Sequence, residues 1–156
     1  MILAAHSDTA YFNDTHAHIR AGSHIFCSDN DPIPCENGPV QSLAQIINMI
    51  MFSASEVELA GLFVTAKAMV PLQQTLKEMK WPQPWSPIQT DNYISNGFAN
   101  KTIVPPKIKL MYMGFYWLRC RDSQGQFIYH WSTWITKQAY YHTKRHPPQY
   151  HEAHRP

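Results

Sequence analysis

Three acids far apart in the chain, Asp8, Glu58 and Asp91, stand where carboxylates could converge. Asp8 closes the apolar run "MILAAHSD", Glu58 lies in the first turns of a long helical pattern, and Asp91 closes the short strand-like "PIQTD". Ends of neighbouring strands in a mixed α/β sheet share an edge, and ligands usually bind there. Oxygen ligands without Cys or His select Mg2+ or Mn2+. A pair of such ions about 4 Å apart can activate a water and steady the leaving oxygen in phosphodiester cleavage. Each acid also has an ordinary structural role. Asp91 would cap a helix, Glu58 would be a solvated partner of a helix dipole, and Asp8 would be a turn acid before Thr9.

Bringing these acids together requires a sheet with helices packed on it. "MILAAHSD" and "HIRAGSHIFCSD" read as strands, the second followed by the Pro/Gly/Asn/Asp-rich loop "DNDPIPCENGP". "PVQSLAQIINMIMF" fits a strand or a short helix by periodicity, and we take its first half as strand. "SASEVELAGLFVTAKAMVPLQQTLKEM" is the clearest helix, capped by Ser53 or Ser55, with Glu56 and Glu58 where the dipole favours anions. Val57, Ala60, Phe63 and Val64, then Leu59, Leu62, Ala66 and Val70, recur at helical spacing. Pro71 is expected to kink or restart this helix. After the Pro/Trp-rich "KWPQPWSP" come a strand in "PIQTD", a short helix in "NYISNGFAN" and a long helix in "PPKIKLMYMGFYWLRCRDSQGQ". "QFIYHW" is a strand and "ITKQAYYHTK" a last helix. The order β-β-β-α-β-α-α-β-α predicts an α/β fold, a mixed five-stranded sheet flanked by helices.

At 156 residues the chain suits one domain with a real core. We expect that domain over 1–146, followed by a His/Pro-rich tail over 147–156. No apolar run approaches the length of a bilayer span, and "MILAAHSDTA" lacks the features of a secretory signal. Cys27, Cys35 and Cys120 show no C-x-x-C spacing and read as free thiols of a reducing compartment. An intracellular protein, cytoplasmic or nuclear and not secreted, is the expectation. The net charge of +2 conceals an acidic first part and a basic remainder. That asymmetry suits a cation site beside a polyanion, or else interleaves once the chain folds.

Several of these motifs, in this order, resemble the ribonuclease H domain at the C-terminus of copia-type retrotransposon polyproteins. "HSDTAY" is similar to its first-strand motif, "SASEVELAGLF" to its S-S-x-E-A-E-L helix and "PIQTDN" to its T-D-N strand end. "FYWLRCRDSQGQFIYHW" and "TKRHPP" are similar to its closing helix, last strand and tail. The resemblance implies a ribonuclease-H-like fold and two-metal hydrolysis of an RNA–DNA hybrid with Mg2+ or Mn2+. It assigns Asp8, Glu58 and Asp91 as catalytic metal ligands. It also implies a reverse transcriptase segment of the same polyprotein as partner. Glu58 is preferred over Glu56 because it matches the second acid of the E-x-E pair. In a helix Glu58 also shares a stripe with Leu62, which turns it toward the sheet.

The pattern breaks at one telling place. The family's fourth acid falls in a segment that here reads "KQAYYHTK", so that Tyr140 stands in its position. A phenol with a pKa near 10 is neutral at pH 7 and bulkier than a carboxylate. Tyr112 and Gly114 stand where the family has Asp and Arg, and Thr133 and Trp134 replace a Pro-Gly turn. These departures imply a decayed copy whose cleavage is impaired, the alternative being a non-catalytic nucleic-acid-binding or inert structural remnant.

Other constellations compete. His142, His146, His151 and His154, with His16 and His18, invite a zinc reading, but Pro147 and Pro148 interrupt any helix and no cysteine completes the set. No nucleophile elbow or Gly-rich phosphate loop is present. Lys107, Lys109 and Arg119 are candidate contacts to a nucleic-acid backbone. Their aromatic neighbours Tyr112, Phe115, Tyr116 and Trp117 are read as the core side of an amphipathic helix.

Overall fold

A strand flanked by strands and covered on both faces must be apolar or supply partners for its polar groups. β1 (Ile2–Ala10) meets both conditions, since all nine of its residues are buried. Its first half is apolar, while His6, Ser7, Asp8 and Thr9 carry polar groups into the interior. The computed structural model describes residues 1–10, 18–31, 35, 37–48, 51, 53–90, 109–131 and 139–143. In chain order these form β1, β2 (Ile19–Ser28), β3 (Pro39–Ile47), α1 (Ala54–Glu78), β4 (Ser86–Thr90), α2 (Lys109–Ser123), β5 (Phe127–Trp131) and α3 (Tyr140–Thr143). The predicted short helix over 92–100, the turn at Thr133 and Trp134, and the boundary between domain and tail lie outside the described residues.

The five strands lie in the order β3-β2-β1-β4-β5. β2 runs antiparallel to β1 from Ile2↔Ser28 to Ala10↔Arg20, and β3 runs antiparallel to β2. β4 is parallel to β1, with Ala5↔Ile88 and His6↔Gln89, and β5 is parallel to β4. The expected mixed five-stranded sheet is therefore present. Strand alternation assigns Leu3, Ala5, Ser7 and Thr9 to one face and Ala4, His6 and Asp8 to the other.

α1 covers the first of these faces. Val57, Leu62, Ala66 and Met69 pack there with Leu3, Ile25, Ile88 and Phe127. Ser53 is the N-cap, its Oγ accepting from the Glu56 amide at 3.2 Å. Of the two outcomes expected at Pro71, the restart does not occur, since the helix runs unbroken from Ala54 to Glu78. Pro71 and Lys67 are both exposed, so water can reach the Lys67 carbonyl that a residue-71 amide would have bonded. Gln73 ties the far end of α1 to the sheet, donating to Ser86 Oγ at 2.6 Å and accepting from Gln126 Nε2 at 2.7 Å. α2 packs beside α1, with the Phe63 and Trp117 rings edge to face at 5.4 Å. Among the described residues no helix is long and apolar enough to cross a membrane.

Candidate functional site

The polar half of β1 supplies the site. On the α1 face, Thr65 Oγ1 lies 3.1 Å from Ser7 Oγ, 2.5 Å from Ser23 Oγ and 3.0 Å from the Gly61 carbonyl. One turn back, α1 comes so close to β1 that a Cβ on Gly61 would collide with the Thr9 methyl and lie 3.6 Å from the Asp8 carbonyl. The pairs Thr65–Ser7 and Gly61–Thr9 show the helix running antiparallel to the strand. Four helical residues advance about 6 Å, matching two strand residues at about 3.3 Å each. The next residue on this stripe is Glu58, three before Gly61 and partly buried. It therefore lies about one turn beyond Thr9, toward the end of β1 that carries Asp8.

On the opposite face, Asp8 is only 2% exposed, and Thr143 of α3 donates its hydroxyl to Asp8 Oδ2. The residue across from Asp8 in the sheet is Gly22. A Cβ there would lie 2.6 Å from Thr143 Cγ2 and 3.0 Å from both the Ala139 carbonyl and His142 Cβ. α3 thus rests directly on the backbone of β2, and the absent side chain lets Thr143 reach the carboxylate. Tyr140 opens α3 three residues before Thr143, a spacing that places two residues on one helix face; its side chain lies outside what the structure describes.

Histidines continue this face away from Asp8. The His6 and His24 rings lie 6.1 Å apart, and His6 meets Phe26 edge to face at 5.1 Å. His24 Nε2 is 3.0 Å from the Asn37 carbonyl, which makes that nitrogen the donor. Burial lowers the pKa of the half-buried His142, and the nearby His24 lowers it further.

Of the predicted ligands, Asp8 and Glu58 belong to the described residues and stand toward one end of β1, Asp8 on the face that meets α3 and Glu58 on α1, which covers the other face. Asp91 lies outside them, directly after Thr90, the buried last residue of β4. Among the described residues no group of three His, Cys, Asp or Glu is arranged to hold a metal ion. Apart from His142 and His18, the histidines of the zinc alternative also lie outside the described residues.

α2 divides its aromatic residues between two environments. Phe115 is buried, and Trp117 packs on the core with the Arg121 guanidinium 5.0 Å over its ring. Tyr112 and Tyr116 do not join them, being 46% and 42% exposed with ring centroids 4.6 Å apart. The core reading thus fails for these two, because they lie four residues apart on a helix stripe turned away from Phe63. Arg119 is partly buried on the same helix. Lys107 lies outside the described residues; Lys109 opens α2, and its side chain is not among those described. Sequence reasoning missed Thr143, Gly22, Gly61 and Thr65 as parts of the site. No local pattern marks them, because each acts on a residue distant in the chain.

No protein-family model matches this chain, and no curated protein sequence does. Solved structures do resemble it. RNase H1 from the halophilic archaeon Halobacterium salinarum aligns with a TM-score of 0.58 at 11% identity, covering 89% of this chain and 91% of that one. The N-terminal RNase H domain of a Mycobacterium tuberculosis protein aligns with a TM-score of 0.58 at 14% identity, covering 89% and 86%. LC11-RNase H1, solved in complex with an RNA/DNA hybrid, aligns with a TM-score of 0.59 at 10% identity, covering 87% and 88%. The architecture is a ribonuclease-H-like fold.

Proposed function

We propose that this chain is the ribonuclease H domain of a copia-type retroelement, built to bind an RNA–DNA hybrid and cut its RNA strand, with cleavage impaired in this copy. The observation that carries the reading is Asp8. It is a buried carboxylate on the central strand of a ribonuclease-H-like sheet, held by a hydroxyl from α3 on the face away from α1. Asp8, Glu58 and Asp91 would hold Mg2+ or Mn2+, and a carboxylate donor set suits these hard cations. Bound divalent ions supply an activated water and relieve charge on the phosphate. Thr143 fixes the rotamer of Asp8, and α1 delivers Glu58 because Gly61 lets the helix approach the strand. Tyr140 provides neither the charge nor the donor of the acid that the resemblance places at its position. A reverse transcriptase segment of the same polyprotein is the proposed partner.

A second reading, binding without cleavage, draws on the exposed Tyr112–Tyr116 pair, since exposed aromatic rings offer bases a stacking surface. One assay separates the two. The purified chain is incubated with RNA–DNA hybrid and Mg2+ or Mn2+, alongside Tyr140→Asp and Asp8→Asn. Slow cleavage is expected, raised at least roughly tenfold by Tyr140→Asp and abolished by Asp8→Asn. Wild type cutting as fast as Tyr140→Asp would overturn the impairment. Salt-sensitive binding with no cleavage by either would favour the second reading.

A further inference from the structure

We propose that the groove between α1, β3 and α2 binds a free amphiphile with a long acyl chain and one anionic headgroup, the chemistry of a fatty acid. The groove has a volume of about 910 Å3, the size of pockets that enclose small organic ligands. Leu59, Phe63 and Val64 of α1, Ile47 of β3, and Met113 and Trp117 of α2 line it. Gly114 keeps it open. A Cβ there would lie 3.6 Å from Phe63 Cγ and Cδ2, so a longer side chain would spread over that ring and into the groove.

The occupant follows from the charge of the lining. Among the described lining residues Lys67 carries the only charge, and Gln45 and Asn48 add two amides. Lys67 is exposed and follows Val64 by three residues and Phe63 by four, on the same face of α1. Its ammonium can meet an anionic head at the water's edge while the tail runs toward Leu59. From Leu59 to Lys67 the helix advances about 12 Å, which suits an acyl chain of medium length. A peptide laid against the two helices fits less well. The backbones of α1 and α2 are bonded within their own ladders, so an extended chain would leave amides unbonded there. An alkyl tail has none to satisfy.

The test is calorimetric titration of the full chain with dodecanoate and with dodecyltrimethylammonium, both below micelle formation. The second carries the same tail under the opposite charge. One-to-one binding of dodecanoate is expected, with dodecyltrimethylammonium weaker. Lys67→Glu should invert that preference, by about two- to fivefold for each amphiphile, as suits an exposed charge. Gly114→Leu should fill the groove and weaken both at least roughly tenfold, the loss of about two buried methylenes. Its urea midpoint should not fall, because leucine is the better helix former. A wild type that takes up neither amphiphile, a preference that Lys67→Glu leaves unchanged, or a Gly114→Leu variant that binds as wild type does would each overturn the proposal. So would binding to phosphatidylserine vesicles without binding of free dodecanoate, which would make the occupant a membrane surface. Self-association of the wild type that Gly114→Leu abolishes would overturn it in favour of a second copy.

Discussion

Replacing Gly22 with alanine puts a methyl group into the seam between β2 and α3, 2.6 Å from Thr143 Cγ2 and 3.0 Å from the Ala139 carbonyl. Carbon atoms pack best at about 3.5–4.0 Å, so something must move by about 1 Å. β2 is held by β1 on one side and β3 on the other, whereas α3 is a four-residue helix. α3 therefore gives way, and the Thr143 bond to Asp8 goes with it. A hydrogen bond to a charged group contributes about 1.5–3 kcal/mol. Removing a glycine from the unfolded ensemble returns about 0.4–1 kcal/mol. The expected net loss is about 1–2 kcal/mol, read as a lower urea midpoint and a Tm reduced by roughly 2–8 °C. Gly114→Ala is the control of opposite sign. Its Cβ would lie 3.6 Å from Phe63 Cγ and Cδ2, an ordinary contact, and a helix-interior glycine costs about 1 kcal/mol relative to alanine. If Gly22→Ala is as stable as wild type, α3 does not rest on β2 as described.

The remaining predictions concern titration and reactivity. Because burial and then His24 lower the pKa of His142, the folded state prefers the neutral ring. The associated stability is fully present above the unfolded histidine pKa of about 6.5 and is lost as pH falls through the lower folded value. His142→Gln should therefore flatten the decline of the urea midpoint between neutral and mildly acidic pH, and equal slopes in both proteins would refute this. Burial raises the pKa of the Cys27 thiol, whereas Cys35 and Cys120 are exposed. A disulfide reagent at mildly alkaline pH should find two fast thiols and one slow, and three equal rates would contradict it.

Much of the frame was legible because it is written in local pattern. The capping serine, the early glutamates and the 3.6-residue period of "SASEVELAGLFVTAKAMV" declare α1 without reference to anything else. The short strand "PIQT" and its parallel place beside β1 were also within reach, since a strand after a long helix returns to the same sheet. That α1 does not restart at Pro71 could not be read from residue type, because the cost of a proline depends on whether water reaches the freed carbonyl, a fact about exposure. Tyr112 and Tyr116 misled because an aromatic stripe does not state which side another helix covers.

By its sequence alone the chain determined the five strands, the long helix and the acids that stand out as candidates, because spacing along the backbone dictates which residues share a face. Only the tertiary structure decided that Asp8 lies buried beneath Thr143, 135 residues away, and that Gly22 and Gly61 leave the room for α3 and α1 to approach. Contacts of that range arise from how whole elements pack, and close packing selects partners by shape, which no window of neighbouring residues contains.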